Sequence, residues 1–327
     1  MEDHLVSVVI PHYNRPDKLE RCIQSVQEQS YANYEIIVVD DCSTNGPKNQ
    51  HKDVQYLSNK ENSGPGRSRN LGMSKSKGDY IVFLDCDDYW DSEFLSEMVV
   101  ALNENSQAVM AYANGLNIDT EKNETQQRRI KEFNRSNILP DILSKGRAWG
   151  TGGCLWNRKL IKGILYTEAR TWEDYAFDVM VGTQNNKVVS VDKNLVFYDI
   201  TGEDRLSQNQ AENFIVEKNK SIGHISDALI NSEYSKDKTV YKKIMVLVFN
   251  NLIKLVQLDI KDTNAIKNNL NAIKDWRSPL YANYIQIILK LPKRYVIGIL
   301  LRTKRKINQG ISFLSPLEGS SSETTEL

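Results

Sequence analysis

Through its first 115 residues the chain alternates short β-branched apolar runs with stretches of helical periodicity, and that rhythm leaves few folds open. LVSVVIP (5–11), YEIIVVDD (34–41), VQYLS (54–58), DYIVFLD (79–85) and AVMAYANG (108–115) read as strands. NRPDKLERCIQSVQEQ (14–29), PGRSRNLGMSKSK (65–77) and SEFLSEMVVALNEN (92–105) read as helices between them. The first has Pro16 in its opening turn and Leu19, Cys22, Ile23 and Val26 on one face. Such alternation predicts βαβ units and a mainly parallel sheet flanked by helices.

Polar residues gather just past the strands: His12-Tyr13-Asn14, Asp40-Asp41 and Asp85-Cys86-Asp87-Asp88. Ligands of open α/β sheets bind outside the carboxyl ends of the strands, so the site is expected where these clusters converge. Lys+Arg and Asp+Glu both number 42, so no global field favours nucleic acid, and any electrostatic preference is local. Four cysteines without CxxC spacing and four scattered histidines argue against structural zinc and for reduced thiols. MEDHLVSVVIPHYN lacks the basic region of a signal peptide, and no run approaches a spanning helix, which places the expected site of action on the cytoplasmic side.

After residue 115 the rhythm changes. EKNETQQRRIKE (121–132) reads as a solvated loop, WEDYAFDVMVGTQ (172–184) as a helix opened by acids, and KVVSVDKNLVFYDI (187–200) as one or two strands. The expected division is a catalytic domain over 1–210, a helical region over 211–310 and a disordered Ser/Thr-rich tail over 311–327.

Three acids in four positions exceed what turn formation and helix capping require. Carboxylates two apart lie on one side of an extended segment and suit a hard divalent cation that bridges to phosphates. Asp40 and Asp41 either close a strand in an Asx turn or accept hydrogen bonds from a nucleobase or ribose. SGPGRSRNLG (63–72) sets Arg67 and Arg69 near a helix start; its glycines match neither GxGxxG nor a P-loop. Glu173-Asp174 is either first-turn helix charge or a general base at a pocket. Trp149, Trp156, Trp172, Tyr175 and Phe177 are either core or a wall for a sugar ring.

Taken together, VSVVIPHYNR, IIVVDDCST, ENSGPGRSRNLG, DYIVFLDCDD and WEDYAF, in that order, resemble the inverting glycosyltransferase family 2 over roughly residues 5–210. Cys42 replaces a usual glycine of the second segment and Ser68 an alanine of the third; YDITGEDRLSQ (198–208), with Arg205 and Ser207, follows the family only loosely. The resemblance implies the A-type glycosyltransferase fold, a Rossmann-like α/β sheet, here with an α-helical C-terminal extension. It implies that Pro11, Tyr13, Asn14, Asp40 or Asp41 and Arg69 hold the uridine of a UDP-sugar. Asp85, with Cys86 beside it, would contact ribose or sugar, and Asp87 would ligate Mn²⁺ or Mg²⁺. Asp174 would be the base, with Glu173 next to it, and Gly153 would shape the donor-sugar pocket. The acceptor would be a saccharide or lipid-linked oligosaccharide of a cell-surface polysaccharide. Processive members carry Q-x-x-R-W and transmembrane helices, and neither is found, which implies single addition.

Rival readings are a phosphatase, a nucleotidyltransferase and a non-catalytic nucleotide-sugar-binding scaffold. Asp88-Tyr89-Trp90 disfavours the first and PHYNRP the second. Finally, NYIQIILKLPKRYVIGILLRTKRK (283–306) is apolar with basic punctuation. It leaves two readings open: packing on the catalytic domain or a second subunit, or lying on the anionic inner face of a membrane.

Overall fold

The computed structural model describes residues 3–128, 135–201 and 212–309. It divides into two compact units, Met1–Ser235 and Lys236–Leu327, whereas the sequence pattern alone suggests a boundary near residue 210. Arg205, Ser207 and the 311–327 tail lie outside the described residues.

The first unit is built on one mixed sheet. Strands β1 (Val6–His12), β2 (Tyr34–Asp40), β3 (Val54–Ser58) and β4 (Tyr80–Phe83) run parallel in the order β3-β2-β1-β4. All seven residues of β1 are buried, as a central strand covered on both faces requires. Helix α1 (Pro16–Gln27) buries Leu19, Cys22, Ile23 and Val26, the predicted face. Helix α2 (Pro65–Lys75) sits close because Gly72 has no side chain: a Cβ there would come within 2.3 Å of Val9 Cγ1.

Beyond β4 the sheet is mixed. After β5 (Tyr89–Trp90) and α3 (Phe94–Glu104), strand β6 (Met110–Asp119) runs antiparallel to β8 (Cys154–Asn157), which is inserted between β4 and β6. Strand β9 (Val188–Asp199) is a single strand parallel to β6 and closes the order on β5. The charged stretch expected to be loop contains a strand, β7 (Glu124–Gln127), paired antiparallel to β6. All four of its residues are exposed, so backbone pairing forms it and no apolar alternation announces it. Helices α4 (Asp141–Lys145), α5 (Glu173–Gly182) and α6 (Glu212–Ile230) complete this unit.

β1 has β2 on one side and β4 on the other, so the chain changes winding direction there, and a crevice opens at such a switch point. Pairing between β1 and β4 stops at Val9 and Phe83, while β1 continues to His12. Pro11, which lacks an N–H, falls where that neighbour has already left.

The second unit consists of α7 (Lys238–Gln257), α8 (Thr263–Trp276), α9 (Pro279–Ile288) and α10 (Lys293–Asn308). Asp237, Asp262 and Ser278 cap three of them through their side chains. Among the described residues, no helix is long and apolar enough to cross a membrane.

Candidate active site

The turn after β1 is held from below. His12, buried, places Nδ1 3.0 Å from Asp40 Oδ1, and its Nε2 accepts the Arg15 backbone N–H at 3.2 Å. The second bond leaves Nδ1 as the donor to Asp40. Asn14 has φ +52° and its Oδ1 accepts from the Asn45 N–H at 2.9 Å, while Tyr13 beside it is exposed. Asp40 also accepts from Ser43 N–H. Asp41 is buried, and its carboxylate takes the Ser63 and Gly64 N–H groups at 2.9 and 2.7 Å and Asn59 Nδ2 at 2.7 Å. That carboxylate therefore shapes the loop leading into α2. Asp40, half-buried, stands nearer the crevice surface.

The acids beyond β4 are countered by arginines from separate elements. Arg69, on α2, is buried. It donates to Asp85 Oδ1 at 2.6 Å and to Glu173 Oε1 at 2.9 Å, with Tyr166 under its guanidinium. Arg67, two positions earlier, faces solvent. Arg15, just before α1, pairs with Asp87. Asp88 is buried, and its pKa is driven well up by burial and then by the charges of Asp87 and Asp85. Asp87 is also raised, by burial and then by Asp85, with Arg15 pulling the other way. Burial and Asp87 raise Cys86, so its thiol stays protonated inside the turn.

At the start of α5 a third arginine acts. Arg147 pairs through Nη1 with Asp174 and through Nε with Asp178 Oδ2 at 2.7 Å; the Trp149 indole N–H donates to that same oxygen at 2.7 Å. Burial opposes ionisation of Asp174, but Arg147, with Arg69 behind it, outweighs it and holds the carboxyl below its usual range. Thr151 Oγ1 adds a contact at 3.3 Å. Burial and the Asp174 charge push Glu173 up to about 7 despite Arg69. The Asp174 side chain is 29% exposed against 9% for Glu173, so Asp174 is the more accessible acid of the pair. Trp172, which precedes the pair, holds φ +61°, a left-handed backbone that costs a bulky residue free energy.

Of the aromatics, Trp149, Trp156 and Phe177 are fully buried core, while Trp172 and Tyr175 are half-buried and lie 4.9 Å apart, tilted. Gly153 lies against Tyr198: a Cβ there would come within 2.9 Å of its hydroxyl, so glycine is needed for packing. Arg15, Arg147 and Asp178 have no site role in the sequence reading, and His12 figures there only as a member of the polar cluster at the end of β1. Asp174 and Asp178, four apart on one helix and so on one face, carry the signal that a buried cation is required.

Among the described residues, no group of three or more His, Cys, Asp or Glu side chains converges on a cation position. The donors still fit one in kind. Asp87 offers hard carboxylate oxygen, and burial with the charge of Asp85 raises its carboxyl despite Arg15.

The sequence profile described as glycosyl transferase family 2 matches residues 7–161. An uncharacterized glycosyltransferase of Haemophilus influenzae is 33% identical over 181 residues, 53% of this chain and 70% of that protein. The Escherichia coli UDP-Glc:alpha-D-GlcNAc-diphosphoundecaprenol beta-1,3-glucosyltransferase WfgD is 32% identical over 115 residues, 34% of this chain and 46% of that one. The chain spans only 43% and 21% of the length of two further curated relatives. Staphylococcus aureus TarS 1-349, solved in complex with UDP-GlcNAc, superposes with a TM-score of 0.64 over 94% of this chain and 93% of that one. At 17% identity that likeness speaks for the fold alone. On the profile match and the Haemophilus relationship, the chain belongs to glycosyl transferase family 2.

Proposed function

We propose that this chain transfers one sugar from a nucleotide-sugar, UDP-linked, to a hydroxyl of a saccharide or lipid-linked oligosaccharide. The transfer inverts the anomeric carbon and serves cell-surface polysaccharide assembly. One observation carries the reading: Arg69 holds an acid from the end of β4 and an acid from the start of α5 on one guanidinium. The acids assigned to donor and acceptor sides thus share one small volume at the switch point.

In this reading Tyr13, Asn14 and Asp40 line the nucleoside position, and Asp85 faces ribose or sugar hydroxyls. Asp174 accepts the proton of the attacking hydroxyl. The new C–O bond forms on one face of the anomeric carbon as the bond to the nucleoside diphosphate breaks on the other. Arg147 keeps Asp174 ionised and aimed. Asp87 would hold Mn²⁺ or Mg²⁺, which when bound supplies positive charge for the departing diphosphate. Support for a UDP-linked donor comes from WfgD, named for UDP-Glc. A mannosyltransferase of the same fold class was solved with GDP-Man and Mn²⁺.

Calorimetric titration of UDP, with and without Mn²⁺, tests the binding half. Micromolar-range binding that Mn²⁺ strengthens, with the Mn²⁺ gain lost in Asp87→Ala, is the expected result. No binding of UDP, GDP or dTDP under either condition overturns the reading.

A further inference from the structure

Eight large apolar side chains are exposed among the described residues, and five of them lie between positions 280 and 295: Leu280, Tyr284, Ile287, Leu291 and Tyr295. Leu280, Tyr284 and Ile287 follow the four-then-three spacing that puts residues on one face of α9. Leu280 is 82% and Ile287 63% exposed, so this stripe is not spare core. The core face of the same helix is a different one, made by Ala282, Ile285 and Ile288. Leu291 extends the stripe into the turn before α10, and Tyr295 lies in the first turn of that helix.

The charge along this segment has one sign. Residues 277–309 contain eight Lys and Arg and not one Asp or Glu, in a chain whose totals balance at 42 each. Lys290, Lys293 and Arg294 sit exposed at the tip beside Leu291, and none has a carboxylate partner among the described residues. A partner for this surface must therefore be apolar within and anionic at its face. A second copy apposed through the same surface would set these cations against their own kind. A polyanion such as nucleic acid would leave the aliphatic stripe in water.

We propose that α9 and the α9–α10 turn form a docking surface for an anionic lipid bilayer. Leu280, Tyr284, Ile287 and Leu291 enter the interface, and Lys290, Lys293 and Arg294 lie at headgroup level. The three tyrosines nearby (Tyr281, Tyr284, Tyr295) have the amphipathic character that suits this depth. This inference goes beyond the transferase reading and does not rest on it.

Vesicle flotation of the full chain tests the proposal. Binding is expected to vesicles of about 3:1 phosphatidylcholine to phosphatidylglycerol, and about tenfold less to phosphatidylcholine alone. It should weaken as salt rises from about 0.05 to 0.5 M. Two variants follow, Ile287→Ser with Leu291→Ser, and Lys290→Gln with Lys293→Gln and Arg294→Gln. All five side chains are exposed, so both variants should melt as wild type does while losing about tenfold or more in vesicle binding. Wild type that ignores anionic vesicles, or variants that float unchanged, would overturn the proposal. So would a concentration-dependent dimer in sedimentation, abolished by the serine variant, without vesicle binding, because the face would then belong to a second copy. Both variants should hydrolyse soluble nucleotide-sugar at the wild-type rate. Flotation without any such hydrolysis in wild type would defeat the transferase reading and leave this one standing.

Discussion

Arg69 and Glu173, 104 positions apart, meet in a buried ion pair at 2.9 Å, and the same guanidinium binds Asp85 at 2.6 Å. Removing the arginine would strand Glu173, which is buried, without its counter-ion, while the half-exposed Asp85 would still face solvent. Arg69→Leu should therefore cost about 3–5 kcal/mol, read as a lower urea midpoint. Arg69→Lys should recover only part of the loss, because an ammonium does not span both carboxylates as a planar fork does. An unchanged midpoint in the leucine variant would mean that the pair is not formed in solution.

Glu173 also makes stability depend on pH in a predictable direction. Its folded pKa of about 7 lies above the ordinary glutamate value of 4.5. Between those values the unfolded chain releases the proton while the folded chain keeps it, so stability falls as pH rises through that window. Glu173→Gln removes the titration. Relative to wild type, the variant should gain on the order of 2 kcal/mol between pH 4.5 and 7. Parallel stability curves for the two proteins would contradict this.

Arg147 and Asp174 make a separable kinetic prediction. With the guanidinium removed in Arg147→Met, the carboxyl loses its main stabilising charge. The acid limb of the pH–rate profile should then move up by about one unit or more. Asp174→Asn should instead lower turnover about 10²–10⁴-fold with nucleotide affinity retained. An acid limb that stays in place would show that Asp174 is not the group titrating there.

Cys42 stands where the family resemblance has glycine, and the structure supplies the reason for glycine: φ is +61°. The side chain is exposed, so little packing holds it there. Cys42→Gly should raise stability by about 0.5 kcal/mol, the relief of left-handed strain less the added freedom of the unfolded chain. Differential scanning calorimetry should register a higher Tm, and a lower one would contradict the strain argument.

What the sequence made legible follows from how locally each feature is encoded. β3 matches its predicted span to the residue, and the acids after β2 and β4 stand at the rim of the sheet because strand period and burial are written in neighbouring residues. The pairing of Arg15 with Asp87 and of Arg147 with Asp174 spans 72 and 27 positions, and no local pattern reports it. The carboxylates after β4 raised the question of what neutralises them. A cation bound with substrate is the sequence answer, and the structure adds two arginines, Arg69 on α2 at Asp85 and Arg15 just before α1 at Asp87. The insertion of β8 between β4 and β6 was illegible for a related reason. Four residues bounded by glycines and a turn carry a strand's composition but no direction. β7 was missed because polar, exposed strands lack alternation.

The most direct test of the central claim is nucleotide release from a panel of UDP-, GDP- and dTDP-sugars with Mn²⁺, comparing wild type, Asp87→Ala and Asp174→Asn. Slow hydrolysis of one UDP-sugar by wild type, abolished in Asp87→Ala, with acceptor-dependent transfer lost in Asp174→Asn, is the predicted result. Failure of wild type to turn over or bind any nucleotide-sugar would contradict it and return the chain to the scaffold reading.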